Sequence, residues 1–161
     1  MTTLKDKILS RSEAAELSRQ LRITGQEVVV TNGCFDIVHA GHVTFLEEAR
    51  SRGDHLFVAV NADDSVSALK GPTRPINKLE ARMTVVAALE SVTAVVAFHE
   101  TLATEILREL GPTLYVKGGD YQIEDLNQQE VAAVVESGGH IAIIKMVQGF
   151  STTGIIEKSR Q

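Results

Sequence analysis

A chain of 161 residues that is 43% hydrophobic and carries a formal net charge of −5 is long enough for one domain with a sizeable core, and its mixed charge suits an ordinary soluble globule. The acidic balance argues against a general affinity for nucleic-acid backbone, though not against a local basic pocket for a phosphorylated ligand. A single cysteine, Cys34, leaves no intramolecular disulfide and no cysteine zinc cluster, and without a signal-peptide pattern or an apolar run of roughly 18 residues the expected compartment is the cytoplasm, with no membrane contact.

Residues 1–26 are polar and read as a helical extension packed on the outside of the domain. Ser12 is its candidate N-cap, Ala14, Leu17 and Leu21 form an apolar stripe, and Gly25 is a plausible stop. A β-branched run, Val28 to Thr31, then reads as a buried strand over Glu27–Thr31. The chain breaks at Asn32-Gly33, passes through Cys34-Phe35-Asp36, and enters a helix over Gly41–Ser51 whose apolar positions are Val43, Leu46 and Ala49.

His39 and His42 fall in the first turn of that helix, three residues apart and therefore on one face. A helix N-terminus offers unpaired N–H groups and the positive end of a dipole, so both rings can address one phosphate there. A structural or solvated role competes with that reading, and a metal competes more weakly, because no third ligand of comparable quality follows. Cys34 at the strand end reads as a packed thiol rather than a nucleophile.

Leu56–Val60 is a second strand, apolar throughout, bounded by Gly53-Asp54 and by Asn61-Ala-Asp-Asp64. Continuous apolar strands alternating with helices indicate a parallel sheet covered on both faces, with ligands at the carboxyl ends of its strands. That rule gathers Asn32, Gly33, Asn61 and Asp63 at one edge, where Asp63 and Asp64 serve either as helix caps or as ligand contacts. Lys70-Gly-Pro-Thr-Arg74-Pro75 is a loop with two cations, fit either to clamp a triphosphate or to lie solvated on the surface. Leu79–Leu89 reads as a helix whose Arg82 either reaches the site or makes a surface salt bridge. Ala94–Phe98 is a strand, His99 after it a surface histidine, and Thr101–Leu110 a helix. Thr113–Val116 is a strand ending in Lys117-Gly118-Gly119-Asp120-Tyr121, where glycines allow close backbone approach beside a cation; a tight turn before a helix near Glu130–Val135 is the plainer alternative. Ile141–Ile144 is a fifth strand, and Ser151-Thr152-Thr153 opens a last short helix with hydroxyls that cap it and can also donate to phosphate. The expected fold is α/β: a Rossmann-like five-stranded parallel sheet with helices on both faces, in a single domain spanning residues 1–161.

The stretch Gly33-x-Phe35-Asp36-x-x-His39-x-Gly41-His42 resembles the GxFDxxHxGH signature of the cytidylyltransferase-like nucleotidyltransferases, a long and specific motif. With Arg74-Pro-Ile-Asn77, Val116-Lys-Gly-Gly-Asp-Tyr121 and Ser151-Thr-Thr153 in the same order and spacing, the likeness runs from about residue 8 to the end. It is strongest to the branch that makes ADP-heptose from ATP and D-glycero-β-D-manno-heptose 1-phosphate for lipopolysaccharide core synthesis, releasing pyrophosphate. That domain is often fused behind a sugar kinase; with no kinase portion in this sequence, the stand-alone form is expected.

The resemblance implies ATP as substrate with Mg²⁺, and a homo-oligomer, a dimer or higher. It assigns His39, His42 and Lys70 to catalysis on the phosphates. Thr31, Asn32, Gly33, Cys34, Phe35, Gly41, Ser151, Thr152 and Thr153 would contact the nucleotide. Asp36, Asn61, Asp63, Arg74, Lys117, Gly118 and Asp120 fall to the acceptor side, and no residue is assigned as a metal ligand. Related cytidylyltransferases commonly carry an arginine shortly before the Ser-Thr helix, where this chain has Met146-Val-Gln148; Lys145 or the loop around Arg74 would have to take that work. Two rivals stand beside this expectation. One is a glycerol 3-phosphate cytidylyltransferase or pantetheine-phosphate adenylyltransferase of the same superfamily. The other is a non-catalytic nucleotide-binding module.

Overall fold

The computed structural model describes residues 3–161; the first two residues of the extension read as 1–26 lie outside the described residues. The extension is not one helix. It comprises a short helix α1 (Leu4–Lys7), a two-residue strand β1 (Ile8–Leu9) and helix α2 (Arg11–Ile23). Helix α2 is capped by Ser10 rather than Ser12, because Ser10 and Glu13 form a reciprocal pair: the Ser10 hydroxyl accepts the Glu13 N–H at 3.3 Å and the Glu13 carboxylate accepts the Ser10 N–H at 2.8 Å.

Among the described residues six parallel strands follow the order β1-β4-β3-β2-β5-β6, with β2 Val28–Gly33, β3 His55–Asn61, β4 Ala94–Phe98, β5 Leu114–Gly118 and β6 His140–Ile144. The sixth strand, absent from the five-strand expectation, is β1. Two residues are too short for a periodic signal; Ile8 and Leu9 pair with Val95 and Val96, and their side chains pack against the two cores.

The helices are α3 (Ala40–Arg50), α4 (Asp63–Lys70), α5 (Leu79–Ala87), α6 (Thr104–Leu110), α7 (Gln128–Glu136) and α8 (Thr152–Ser159). They cover both faces, so the central strands are apolar in both directions. Val28, Val30, Phe57, Ala59, Val96 and Phe98 pack under α2, α6 and α7, whereas Val29, Leu56, Val58, Val60 and Val95 pack under α3 and α5. Among the described residues no helix is long and apolar enough to cross a membrane.

The strand order decides where a ligand can sit. From β2 the chain moves outward through β3 to β4 on one side, then crosses back to place β5 against the other side of β2. The helices that follow β2 and β5 therefore diverge, leaving a crevice beyond the carboxyl ends of these two strands. Asn32-Gly33 and Lys117-Gly118 are those ends.

Candidate active site

A cleft of ≈ 520 Å³ opens at that switch point. Its floor is Asn32, Gly33, Cys34, Phe35 and Asp36; His39 and His42 stand on one side, Lys70, Arg74 and Lys117 supply positive charge, and Ser151, Thr152 and Thr153 close the rim. A smaller cavity of ≈ 200 Å³ adjoins it and adds Thr31, Phe45, Gly118, Tyr121 and Met146. Met146 and Phe150, which line the main cleft, carry no polar signal that sequence reading could have used.

The turn from β2 into α3 is shaped by its side chains. Phe35 adopts a left-handed φ of 47°, which is costly for a bulky residue, and a Cβ on Gly33 would lie 2.9 Å from its ring. His39 is the N-cap of α3, and its backbone N–H donates to His42 Nδ1 at 3.3 Å. That bond makes His42 Nδ1 an acceptor and leaves the proton of the neutral ring on Nε2. The two rings stack with centroids 3.8 Å apart and planes inclined by 25°. Gly41 permits this packing, because a Cβ there would meet both the His39 ring at 3.1 Å and Phe150 at 3.0 Å. Burial lowers the His39 pKa, and burial together with the adjacent His39 lowers that of His42 to about 4. Both imidazoles are thus neutral donors at pH 7 in the free protein.

Asp36 organises the basic loop. Its carboxylate accepts the Arg74 Nε–H at 2.7 Å and the N–H groups of Ile76 and Asn77 at 2.9 Å, while its carbonyl accepts the Asn77 amide at 2.6 Å. Burial pushes the Asp36 pKa up, but the Asn77 and Ile76 amides and Arg74 outweigh it and hold the carboxyl below its ordinary value. With those bonds in place the carboxylate holds the loop rather than facing a ligand freely. Lys70 is not in the loop as read from the sequence: α4 runs through it, and Gly71 with φ 100° ends the helix. Among the described residues Lys70 makes no ion pair, so its charge is free to face the cleft.

Of the two alternatives for Arg82, the surface salt bridge is excluded by its burial. The residue is 1% exposed and donates to four groups: the carbonyls of Cys34, Asn61 and Asn77 at 2.6, 2.7 and 2.9 Å, and the Asp63 carboxylate at 2.8 Å. This network takes Asp63 out of the cleft, where it does not line the wall. Asn61 is also buried: its amide donates to Ser65 Oγ at 2.8 Å, and its oxygen lies 4.0 Å from Cys34 Sγ. Neither supports the acceptor role expected of it. Asp120 is exposed and lines neither cavity. Burial raises the Cys34 thiol despite nearby Lys70, Arg82 and Arg74, so it is protonated at neutral pH and a poor nucleophile.

At the rim, Ser151 Oγ accepts the Gly154 N–H at 3.0 Å and so caps α8, and Thr152 Oγ1 donates to the Ile37 carbonyl at 3.2 Å. Lys145 is exposed and does not line the cleft, whereas Arg74 does. A further cavity of ≈ 490 Å³ near α6 and α7 is bordered by Glu100 and Arg108, which already pair with Arg11 and Glu105.

A doubly wound parallel sheet, a helix N-terminus bearing paired neutral imidazoles, and cations at the switch point are the features of a class of protein that takes phosphorylated ligands beyond the carboxyl ends of its strands. Residues 30–158 match the cytidylyltransferase-like family, and the chain belongs to that family of nucleotidyltransferases. It is 50% identical over 155 residues to the bifunctional protein HldE of Pasteurella multocida, covering 96% of this chain and 32% of that protein. To the protein of the same name from Haemophilus influenzae it is 47% identical over 152 residues, 94% of this chain and 31% of the relative. The chain spans about a third of the length of the curated relatives it matches. A solved structure, the lipopolysaccharide core biosynthesis protein from Thermoplasma volcanium, superposes with a TM-score of 0.61 at 27% identity, covering 76% of this chain and 98% of that one.

Proposed function

We propose that this chain transfers the adenylyl group of ATP to D-glycero-β-D-manno-heptose 1-phosphate, giving ADP-heptose and pyrophosphate for lipopolysaccharide core synthesis. The observation that carries the reading is the convergence of Lys70, Arg74 and Lys117 on the stacked His39–His42 pair at one helix start. The choice of adenylyl group and heptose is supported by the motif resemblance and by the likeness to HldE and to a lipopolysaccharide core biosynthesis protein.

An oxygen of the sugar phosphate attacks the α-phosphorus of ATP in line, the new P–O bond forms as the α–β bridging bond breaks, and the electron pair leaves with pyrophosphate. The acceptor is already an anion, so no side-chain nucleophile is needed. The protein's task is to hold two polyanions together and stabilise charge as it moves. His42 Nε2–H and His39 donate to the triphosphate, Lys70 follows charge onto the leaving group, and the amides of the α8 start hold phosphate oxygens. Mg²⁺ would arrive as part of the MgATP substrate, borne by its phosphates.

The test is pyrophosphate release with ATP or CTP against heptose 1-phosphate, other sugar 1-phosphates, glycerol 3-phosphate and phosphopantetheine. Release with ATP and the heptose is expected. Release only with CTP or another acceptor would reject the substrate assignment, and binding of ATP without release would favour a non-catalytic module. Homo-oligomerisation rests on resemblance alone, and light scattering decides it.

A further inference from the structure

Directly beneath the cleft lies a polar cluster built from β2, β5 and α7. Tyr115 and Lys117 are two apart on β5 and so point the same way. The Tyr115 hydroxyl donates to Asn32 Oδ1 at 2.6 Å, and the Lys117 ammonium donates to the same oxygen at 3.3 Å. Glu130, 5% exposed in the first turn of α7, accepts the Ala103 N–H at 2.8 Å with one oxygen. Its other oxygen lies 3.3 Å from the Tyr115 hydroxyl and 3.6 Å from Lys117 Nζ.

This arrangement determines which way Asn32 faces. An ammonium has three donors and no acceptor, so only the carboxamide oxygen can be turned toward Lys117. The NH₂ group on the same carbon is then turned away from Lys117, on a residue that lines the cleft. Tyr115 is fully buried; burial and the Glu130 carboxylate keep its phenol protonated, so it remains a hydrogen-bond donor throughout the working pH range. Asn32, His42 and Lys117 line both the main cleft and its smaller neighbour. On the nucleotidyl-transfer reading, the phosphoryl group undergoing transfer sits where these two lobes meet.

Resting on the nucleotidyl-transfer reading above, we propose that Tyr115 and Glu130 are positioning residues that fix the Asn32 NH₂ and the Lys117 ammonium as paired donors to the phosphoryl oxygens undergoing transfer. Neither residue lines the cleft. Tyr115 acts through Asn32 by holding its oxygen, and Glu130 acts through Lys117 by drawing the ammonium to the floor. Loss of either lets the donor it orients rotate away from a geometry that matters most in the transition state.

A double-mutant cycle tests this. Tyr115→Phe is expected to lower kcat about tenfold, with KM for ATP and for the acceptor changed by less than about twofold. In the Asn32→Ala background the same change should have no further effect. Equal losses in both backgrounds, or a loss confined to KM, would overturn the proposal. Should Tyr115→Phe fail to fold by thermal melting, Glu130→Gln, which keeps an acceptor for the Ala103 N–H, is read in the same way with and without Lys117→Met. If the wild-type protein turns over a different acceptor, the sugar assignment falls and the cycle is decided on that acceptor. If it releases pyrophosphate with none, the transfer reading falls and this proposal with it.

Discussion

The Asp36 carboxylate and the Arg74 guanidinium, 38 residues apart in sequence, meet at 2.7 Å with side-chain exposures of 1% and 14%. This contact, with the Ile76 and Asn77 amides on the same carboxylate, ties the basic loop to the signature turn. Asp36→Ala leaves a largely buried guanidinium and two amides without their acceptor, and is expected to cost about 3 kcal/mol of stability in urea unfolding. Because the Asp36 pKa is held below its ordinary 3.8, this stabilisation is complete above that pH and is lost as pH falls through the lower folded value.

Lys70 presents the opposite case. It is exposed at the end of α4, and no ion pair involves it among the described residues. Lys70→Met is expected to leave the urea midpoint within about 0.5 kcal/mol of wild type while lowering kcat/KM by about a hundredfold. A comparable loss in both would assign Lys70 to the fold instead.

His42→Ala is expected to lower kcat by about a hundredfold, the scale for losing one preorganised donor, measured by pyrophosphate release at saturating ATP. An unchanged turnover would remove the imidazoles from the mechanism.

The depressed His42 pKa has a signed consequence. In the free protein the ring should titrate near pH 4 rather than 6.5, followed by its NMR carbon-bound proton shifts. The unfolded chain takes up this proton first, so the histidine reduces stability as pH falls from about 6.5 toward 4. A triphosphate beside the ring favours its charged form and raises the pKa. Nucleotide should accordingly bind more tightly as pH falls through that window, and an unshifted titration on adding ATP would place the phosphates elsewhere.

Arg82→Met leaves three backbone carbonyls and Asp63 without their common donor. The expected cost is about 3–5 kcal/mol in urea unfolding. Asp63→Asn should cost less, because that carboxylate is 34% exposed and water replaces the bond.

Much of this molecule is legible in local pattern. The apolar runs at Val28–Thr31, Leu56–Val60 and Ala94–Phe98 mark strands buried on both faces, since hydrophobic periodicity is a property of neighbouring residues. The same holds for the helix that starts at His39-Ala-Gly-His42, whose pair of rings faces one way by spacing alone. Lys70, Arg74, Lys117 and Ser151–Thr153 stand out locally as cations or hydroxyls near a strand or helix end, and it is the family resemblance that assigns them to the ligands.

What sequence could not decide depends on pairings across tens of residues. Two-residue β1 forms where Val95 and Val96 present an open edge to it. Arg82 looks like any charged residue on a helix until the ends of β2 and β3 converge on it. The strand-end rule puts Asp63 and Asn61 at the carboxyl edge of the sheet, but Arg82 and Ser65 bind their side chains there. Tyr115 and Glu130 read as a strand aromatic and a helix acid, and only the β2–β5 junction brings them under Asn32. A polar group's role follows from which donors and acceptors surround it once water is excluded, and that environment is a property of the tertiary structure.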